Sequence, residues 1–372
     1  MTTDNRQPTT QIIAALAAMI CLCCTTDATR RGYLRTIAAT YGAPPRPVIV
    51  VPGFGVTRLF DPVTRQYVWG TPRATVHTKY ADDLDLPAGG HDRLIPQGYV
   101  GSRGPVNIGW QLMEGLRKFG RYTPDRDVFP FYYDWRLSAR ENAVKLGQLA
   151  DRIRAGGKID IVAHSAGAIV ALTYVKLAGG AANVDHLILI APTGRGVIDA
   201  FRVFVRPERF IRRTFTPPMV ATWPFILELL PDDGRFLVDE NGQPIDRDFW
   251  TAEAWRGIAP IDPRLLASAR QLRDDLRAAP TNVRMSVIAG DCAATARRVL
   301  MRSDGSFVFY PSELRPNEQK LRPILFEPGD GTVPVSSATN GGPAFIVCDG
   351  HQGLAADPTV HRAMIRTLRD EQ

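Results

Sequence analysis

The chain of 372 residues is 45% hydrophobic and 22% charged, proportions close to those of soluble globular proteins. They exclude a disordered chain, a collagen-like fibre and a polytopic membrane protein. Lys and Arg outnumber Asp and Glu by 45 to 38, and the resulting charge of +7 is too dispersed for a nucleic-acid footprint, though it suits contact with an anionic surface.

The amino terminus differs in character from the rest of the chain. Ile12 to Cys24 (IIAALAAMICLCC) is apolar and uncharged but shorter than the ~20 residues that a membrane-spanning helix needs. It matches the apolar core of an export signal, with small and polar residues from Thr25 to Ala28 where cleavage would fall. A signal segment over 1–28 and an exported protein (periplasmic, secreted or membrane-associated) are therefore expected; the competing reading is a buried core helix. Cys21, Cys23 and Cys24 lie inside this run. Cys292 and Cys348 remain, either as one disulfide in an oxidising compartment or as two buried thiols.

Beyond it, short apolar runs recur in order, each closed by turn residues. They are Pro47–Val51, Val128–Tyr133, Ile159–Ala163, Asp185–Ile190, Val283–Ala289 and Ala344–Val347. Continuous rather than alternating runs predict strands buried on both faces, as in a parallel sheet. Helical spacing appears over Trp110–Phe119, Ser138–Ala155, Ala166–Leu177 and Pro358–Leu368. Alternating strands and helices predict an α/β fold with one mainly parallel sheet. At about 150 residues per domain the length admits two or three domains, but this rhythm runs through a single domain over 45–370.

One stretch breaks the rhythm. Residues 194–260 hold Trp223, Trp250 and Trp255, a Phe- and Ile-rich piece from Ile198 to Ile226, and the arginine-rich Arg202–Arg213. They read as a cap inserted in the α/β domain; a long surface excursion is the alternative. The Pro- and Arg-rich pieces Arg73–Gly104 and Pro311–Pro323 read as long loops.

The chemistry concentrates at Ala163-His164-Ser165-Ala166-Gly167, which follows the Ile159–Ala163 strand and opens a small-residue helix. A serine on a sharp strand-to-helix turn needs small residues two before and two after it, and Ala163 and Gly167 supply them. Its oxyanion would lie at a helix N-terminus with free N–H groups. Such a serine needs a base, and the base an orienting acid, in the chain order Ser, acid, His. Of the histidines downstream, His186 opens a strand, and His361 sits in the terminal helix, where a solvated face is expected. His351 stands in a loop after the last strand and is the expected base. Asp330, flanked by Gly329 and Gly331, is the expected acid, with Asp291 as its rival. The oxyanion hole is expected from the N–H groups of Ala166 and Phe54, the latter in the Val51-Pro52-Gly53-Phe54-Gly55 loop. The sequence has no HExxH, paired CxxC, GxxxxGK or strand-linked GxGxxG pattern, so neither metal nor cofactor is expected.

The series VIVVPGFG, YDWR (Tyr133–Arg136), IVAHSAGA, FILELLPD (Phe225–Asp232), GDGTVP and a loop histidine resembles the lecithin:cholesterol acyltransferase-like family of α/β-hydrolases. The resemblance covers nearly all of the chain from Pro45 to Leu368, with Ala163 departing from the usual glycine. It implies an α/β-hydrolase fold and a serine acyl hydrolase or O-acyltransferase acting on lipid esters. Ser165, Asp330 and His351 would form its triad, and Phe54 and Ala166 its oxyanion hole. It also implies a disulfide between the segments holding Cys292 and Cys348. On this reading Phe201, Phe204, Phe210, Phe215, Trp223 and Phe225 give the cap a lipid-facing surface. Arg195, Arg202, Arg206, Arg209, Arg212 and Arg213 would meet anionic headgroups, unless they are only a solvated face. The rival functions are an esterase of small or polymeric esters and a non-catalytic binding protein of the same fold.

Overall fold

The computed structural model describes residues 28–76, 84–87, 93–101, 108–210 and 213–371. The expected signal run Ile12–Cys24 lies outside the described residues. Six parallel strands form the central sheet: β1 (Val48–Val51), β2 (Val128–Pro130), β3 (Ile159–His164), β4 (Val184–Ile190), β5 (Arg284–Gly290) and β6 (Phe345–Val347). Their order across the sheet is β6-β5-β4-β3-β1-β2. Each expected strand is present, and β3 is buried at every position.

Five helices flank the sheet: α1 (Ile108–Gly120), α2 (Ala139–Ile153), α3 (Gly167–Leu177), α4 (Pro263–Ala278) and α5 (Pro358–Leu368). Successive strand side chains point to opposite faces, so one sheet makes two cores. Val48, Val50, Val162 and Ile188 pack with Leu116 of α1 and Met364 of α5. Ile49, Val51, Ile161 and Leu187 pack with Leu146 of α2 and Ile169 of α3. Full burial of such a side chain contributes roughly 1.5–3 kcal/mol, which makes the central strands the stable frame. Local signals set the helix starts. Ser138 accepts from Glu141 N to cap α2, and Asp357 caps α5 ahead of Pro358.

Both expected long loops carry structure. A strand at Ile95–Tyr99 pairs antiparallel with Thr57–Asp61, which also pairs with Gln66–Trp69. Pro311–Glu313 and Pro316–Leu321 are 3-10 turns. Nor does the inserted stretch 194–260 close on itself. Its strand Leu237–Val238 pairs with Val299–Met301, which lies beyond β5.

Five of the six aromatic residues expected to face lipid are interior, which corrects that expectation for them. Phe201, Phe204, Trp223 and Phe225 are almost wholly buried, and Phe215 nearly so. Trp223 packs edge-on against Trp135 and so joins this stretch to the segment after β2, while Phe201 packs edge-on against Phe236 within the stretch. Arg202 and Arg206 are engaged within the chain. Arg202 pairs with Asp199 and Glu208, and Arg206 with Glu313 at 2.6 Å. Arg195 is exposed.

Glu228 ties the insertion to α2. It is buried, and its Oε2 accepts from Ala139 N at 2.8 Å, at the helix start. Burial pushes its carboxyl up to about 8, and neither that hydrogen bond nor Arg140 and Arg273 nearby offsets the desolvation. The native state therefore holds this proton more tightly than the unfolded chain does. That share of stability is complete below the ordinary glutamate range and is lost as pH rises through about 8. Thermal melts should show the midpoint falling between pH 6 and pH 9. Glu228→Gln, which keeps an oxygen for Ala139 N, should flatten that fall, and parallel slopes in both proteins would refute the assignment.

Candidate active site

The loops that follow β3, the strand Phe326–Gly329 and β6 meet here. After β3 the chain turns sharply into α3, and Ser165 takes a left-handed φ of 55°. That conformation is unfavourable for a residue with a side chain and is held by its surroundings. Ser165 N donates to Ile190 O of β4 at 2.9 Å. The glycine two residues on is required sterically, because a Cβ at Gly167 would fall 2.3 Å from Pro52 O and 2.7 Å from Val51 O. Gly53 faces the serine from the loop after β1, where a Cβ would lie 2.9 Å from Ser165 Cβ. Ala163 lies within β3, fully buried and opposite Val51, so a methyl group is accommodated there.

The acid loop follows a short antiparallel pair, Ala293–Ala296 with Phe326–Gly329. Gly331 has φ 93°, and its N–H donates to Thr295 Oγ1 at 2.9 Å. Asp330 is buried, and its Oδ1 accepts from Thr332 N at 2.9 Å and Val333 N at 2.7 Å. Oδ2 lies 2.8 Å from His351 Nδ1. Burial alone would raise the Asp330 pKa, yet it is lowered, because His351 and the two backbone N–H groups together outweigh desolvation.

The histidine loop follows β6. His351 Nε2 lies 2.8 Å from Ser165 Oγ, and its backbone N–H donates to Asp330 O at 2.9 Å. Cys292 and Cys348 form a disulfide, which resolves the choice left open by the sequence. It joins the end of β5, just ahead of the Ala293–Ala296 strand, to the end of β6, just ahead of His351. Asp291, the rival acid, is exposed beside that disulfide, while Asp330 holds the ring of His351. His186 is buried and its Nε2 meets Ser286 Oγ at 2.9 Å. His361 is a correction: it is buried rather than solvated, with Nε2 2.9 Å from Ala355 O and its ring against Phe119.

Phe54 and Ala166 both line the cavity above Ser165, and among the described residues no acceptor takes either N–H. The Tyr133–Arg136 segment positions the Phe54 loop. Tyr133 OH donates to Pro52 O at 2.8 Å, Trp135 Nε1 donates to Thr57 O at 3.0 Å, and the Trp135 ring lies edge-on 4.7 Å from Phe54. A two-pronged ion pair between buried Asp134 and Arg136 stiffens the segment. This support role was not read from the sequence; the signal for it was aromatic residues following directly on a core strand. The cavity measures about 310 Å³. Val197, Val203, Phe215, Ile226 and Leu229 of the inserted stretch form much of its apolar wall. Asp199, Arg202 and Glu208 give that side a polar rim.

The solved Tle4–Tli4 complex aligns over 87% of this chain and 99% of that one, with a TM-score of 0.59 and 15% identity. The chain has the α/β-hydrolase fold. Mature BlEst2 lipase from Bacillus licheniformis aligns over 89% of this chain and 95% of its own, at TM-score 0.42 and 11% identity. A curated relative, the uncharacterised protein YJR098C of Saccharomyces cerevisiae, is 25% identical over 262 residues. That match takes in 63% of this chain, and the chain spans only 37% of the yeast protein. No protein-family model matches.

The contact between the Pro52 loop and α3 has a direct test. Gly167→Ala should force the two apart and destabilise by the ~1–3 kcal/mol typical of overpacking. It should lower the melting temperature and slow covalent labelling of Ser165 by a fluorophosphonate. A variant with wild-type melting and labelling would show that this α/β-hydrolase elbow tolerates the extra methyl group.

Proposed function

We propose that the protein is a serine acyl hydrolase of lipid esters, with Ser165 as nucleophile, His351 as general base and acid, and Asp330 as its orienting carboxylate. The observation that carries the reading is the continuous contact from Asp330 Oδ2 through both ring nitrogens of His351 to Ser165 Oγ, each link 2.8 Å. In the reaction, Ser165 Oγ bonds to the ester carbonyl carbon while its proton passes to His351 Nε2. The Phe54 and Ala166 N–H groups receive the oxyanion. The carbon–oxygen bond to the leaving alcohol then breaks, and His351 returns the proton to that alcohol. Water attacks the acyl-enzyme by the reverse sequence; an alcohol in its place makes the same site an O-acyltransferase.

The apolar wall of Val197, Phe215, Ile226 and Leu229 supports an acyl chain over a small soluble ester. The motif series from VIVVPGFG to GDGTVP supports a place among the lecithin:cholesterol acyltransferase-like enzymes. The Cys292–Cys348 disulfide supports an oxidising compartment, consistent with export.

The test is a panel of acylglycerols and phospholipids assayed with and without an added alcohol, alongside fluorophosphonate labelling. Ser165→Ala should abolish both labelling and turnover. Asp330→Asn should keep the fold and lower kcat by as much as ~10⁴-fold, as loss of the orienting carboxylate does in serine hydrolases. Full activity in Ser165→Ala would overturn the reading. An unlabelled wild-type serine with tight lipid binding would favour a non-catalytic binding protein.

A further inference from the structure

Beyond the three residues assigned above, we infer that His164 is the positioning residue that locks His351 onto Ser165, working only as the tautomer with its proton on Nε2. This rests on the hydrolase reading of the site but adds a role that the reading does not need. His164 is 1% exposed and sits at the end of β3, directly before Ser165. Its Nε2 lies 3.2 Å from the backbone carbonyl oxygen of His351. A carbonyl oxygen only accepts, so the contact requires a proton on Nε2.

The other nitrogen agrees. His164 Nδ1 is buried and has no hydrogen-bond partner among the described residues. Orphaned buried N–H groups are rarer than under-satisfied acceptors, so this side favours the bare nitrogen. The ring also stays uncharged. Burial, reinforced by the neighbouring His351, lowers its pKa to about 3.

The ring stands where the three loops converge. It is covalently next to the serine, its Nε2 holds the histidine loop, and a Cβ on Gly53 of the Phe54 loop would lie 3.4 Å from its Nδ1. The two imidazoles are 5.0 Å apart between centroids. Asp330 O fixes the N–H of His351, and His164 fixes its carbonyl. With both peptide groups held, the ring of His351 has little freedom to swing off Ser165. Losing one of the two anchors should displace Nε2 by a fraction of an ångström to an ångström, a shift that can cost ~10²-fold in rate.

Amide replacements separate the role from simple packing. The Nε2 of glutamine superimposes on the histidine Nε2 and still reaches the His351 carbonyl. The amide of asparagine falls near Nδ1 and does not. In ester turnover His164→Gln should stay within about threefold of wild type. His164→Asn and His164→Leu should lose about 10- to 100-fold in kcat with KM little changed, and label more slowly with fluorophosphonate. Equal activity in the Gln and Asn variants, or wild-type activity in the Leu variant, would overturn the proposal. Nitrogen-15 NMR of the wild-type imidazoles tests it even where a variant fails to fold. His164 should carry its proton on Nε2 from pH 5 to pH 9, and a proton on Nδ1 refutes it. The two readings fail differently: if Ser165→Ala remains active the hydrolase assignment falls, whereas an inactive Ser165→Ala beside equal Gln and Asn variants sinks only the role of His164.

Discussion

The site depends on one close approach of backbone to backbone. The carbonyls of Val51 and Pro52 press against the first turn of α3 so tightly that only a hydrogen fits at position 167. That approach brings the Phe54 loop over Ser165 and makes the second glycine, Gly53, equally necessary on the opposing side. It also explains the unfavourable φ of Ser165, since a relaxed turn would carry the hydroxyl away from the loop. The strain is sustained because β1, β3 and β4 are buried on both faces and cannot yield.

A second layer holds this geometry from behind. Tyr133 and Trp135 bond to carbonyls on either side of Phe54, and the buried Asp134–Arg136 pair keeps them in place. The disulfide works on the other flank, where β6 leads into the His351 loop and β5 into the Ala293–Ala296 strand, whose partner Phe326–Gly329 precedes Asp330. Cross-linking a loop of this length restricts the unfolded chain, and here it also ties together two segments whose side chains must meet. Between the flanks, Asp330 and His164 are both buried but end in opposite states. Asp330 gathers three hydrogen-bond donors and stays ionised, whereas His164 has one acceptor and stays neutral. Burial keeps His164 neutral, whereas at Asp330 the local donors together outweigh burial and hold the charge.

The frame was legible in the sequence because buried strands leave uninterrupted apolar runs, and Gly-flanked turns mark where the chain must bend. Ser165 and His351 each follow such a run, Asp330 is marked instead by its flanking glycines, and the fold brings the three side chains into contact. The features that escaped notice had no periodic mark. The Ile95–Tyr99 strand contains Pro96 and Gly98, residues that speak against a strand, and it forms at the margin of a small antiparallel sheet rather than in the core. His361 was misplaced because its surroundings come from another element, α1, whose Phe119 covers it. His164 carries no mark in the sequence beyond its place in the motif, since its partner is the carbonyl of a residue far along the chain.

The insertion shows most plainly how much composition alone conceals. A stretch rich in Phe, Trp and Arg suggests a surface built for lipid and its headgroups. In the fold the aromatic rings turn inward and pack on one another and on Trp135. Arg206 pairs with Glu313 of a 3-10 segment far along the chain, whereas Arg202 pairs with Asp199 one turn away in its own helix. Inward burial of those rings joins this stretch to the core, so its apolar residues meet the cavity only where they border it, as Phe215, Ile226 and Leu229 do. The cavity is thereby bounded by an interior wall rather than by an exposed greasy face. Packed rings behind that wall hold its shape, because side chains already in contact have no room to give.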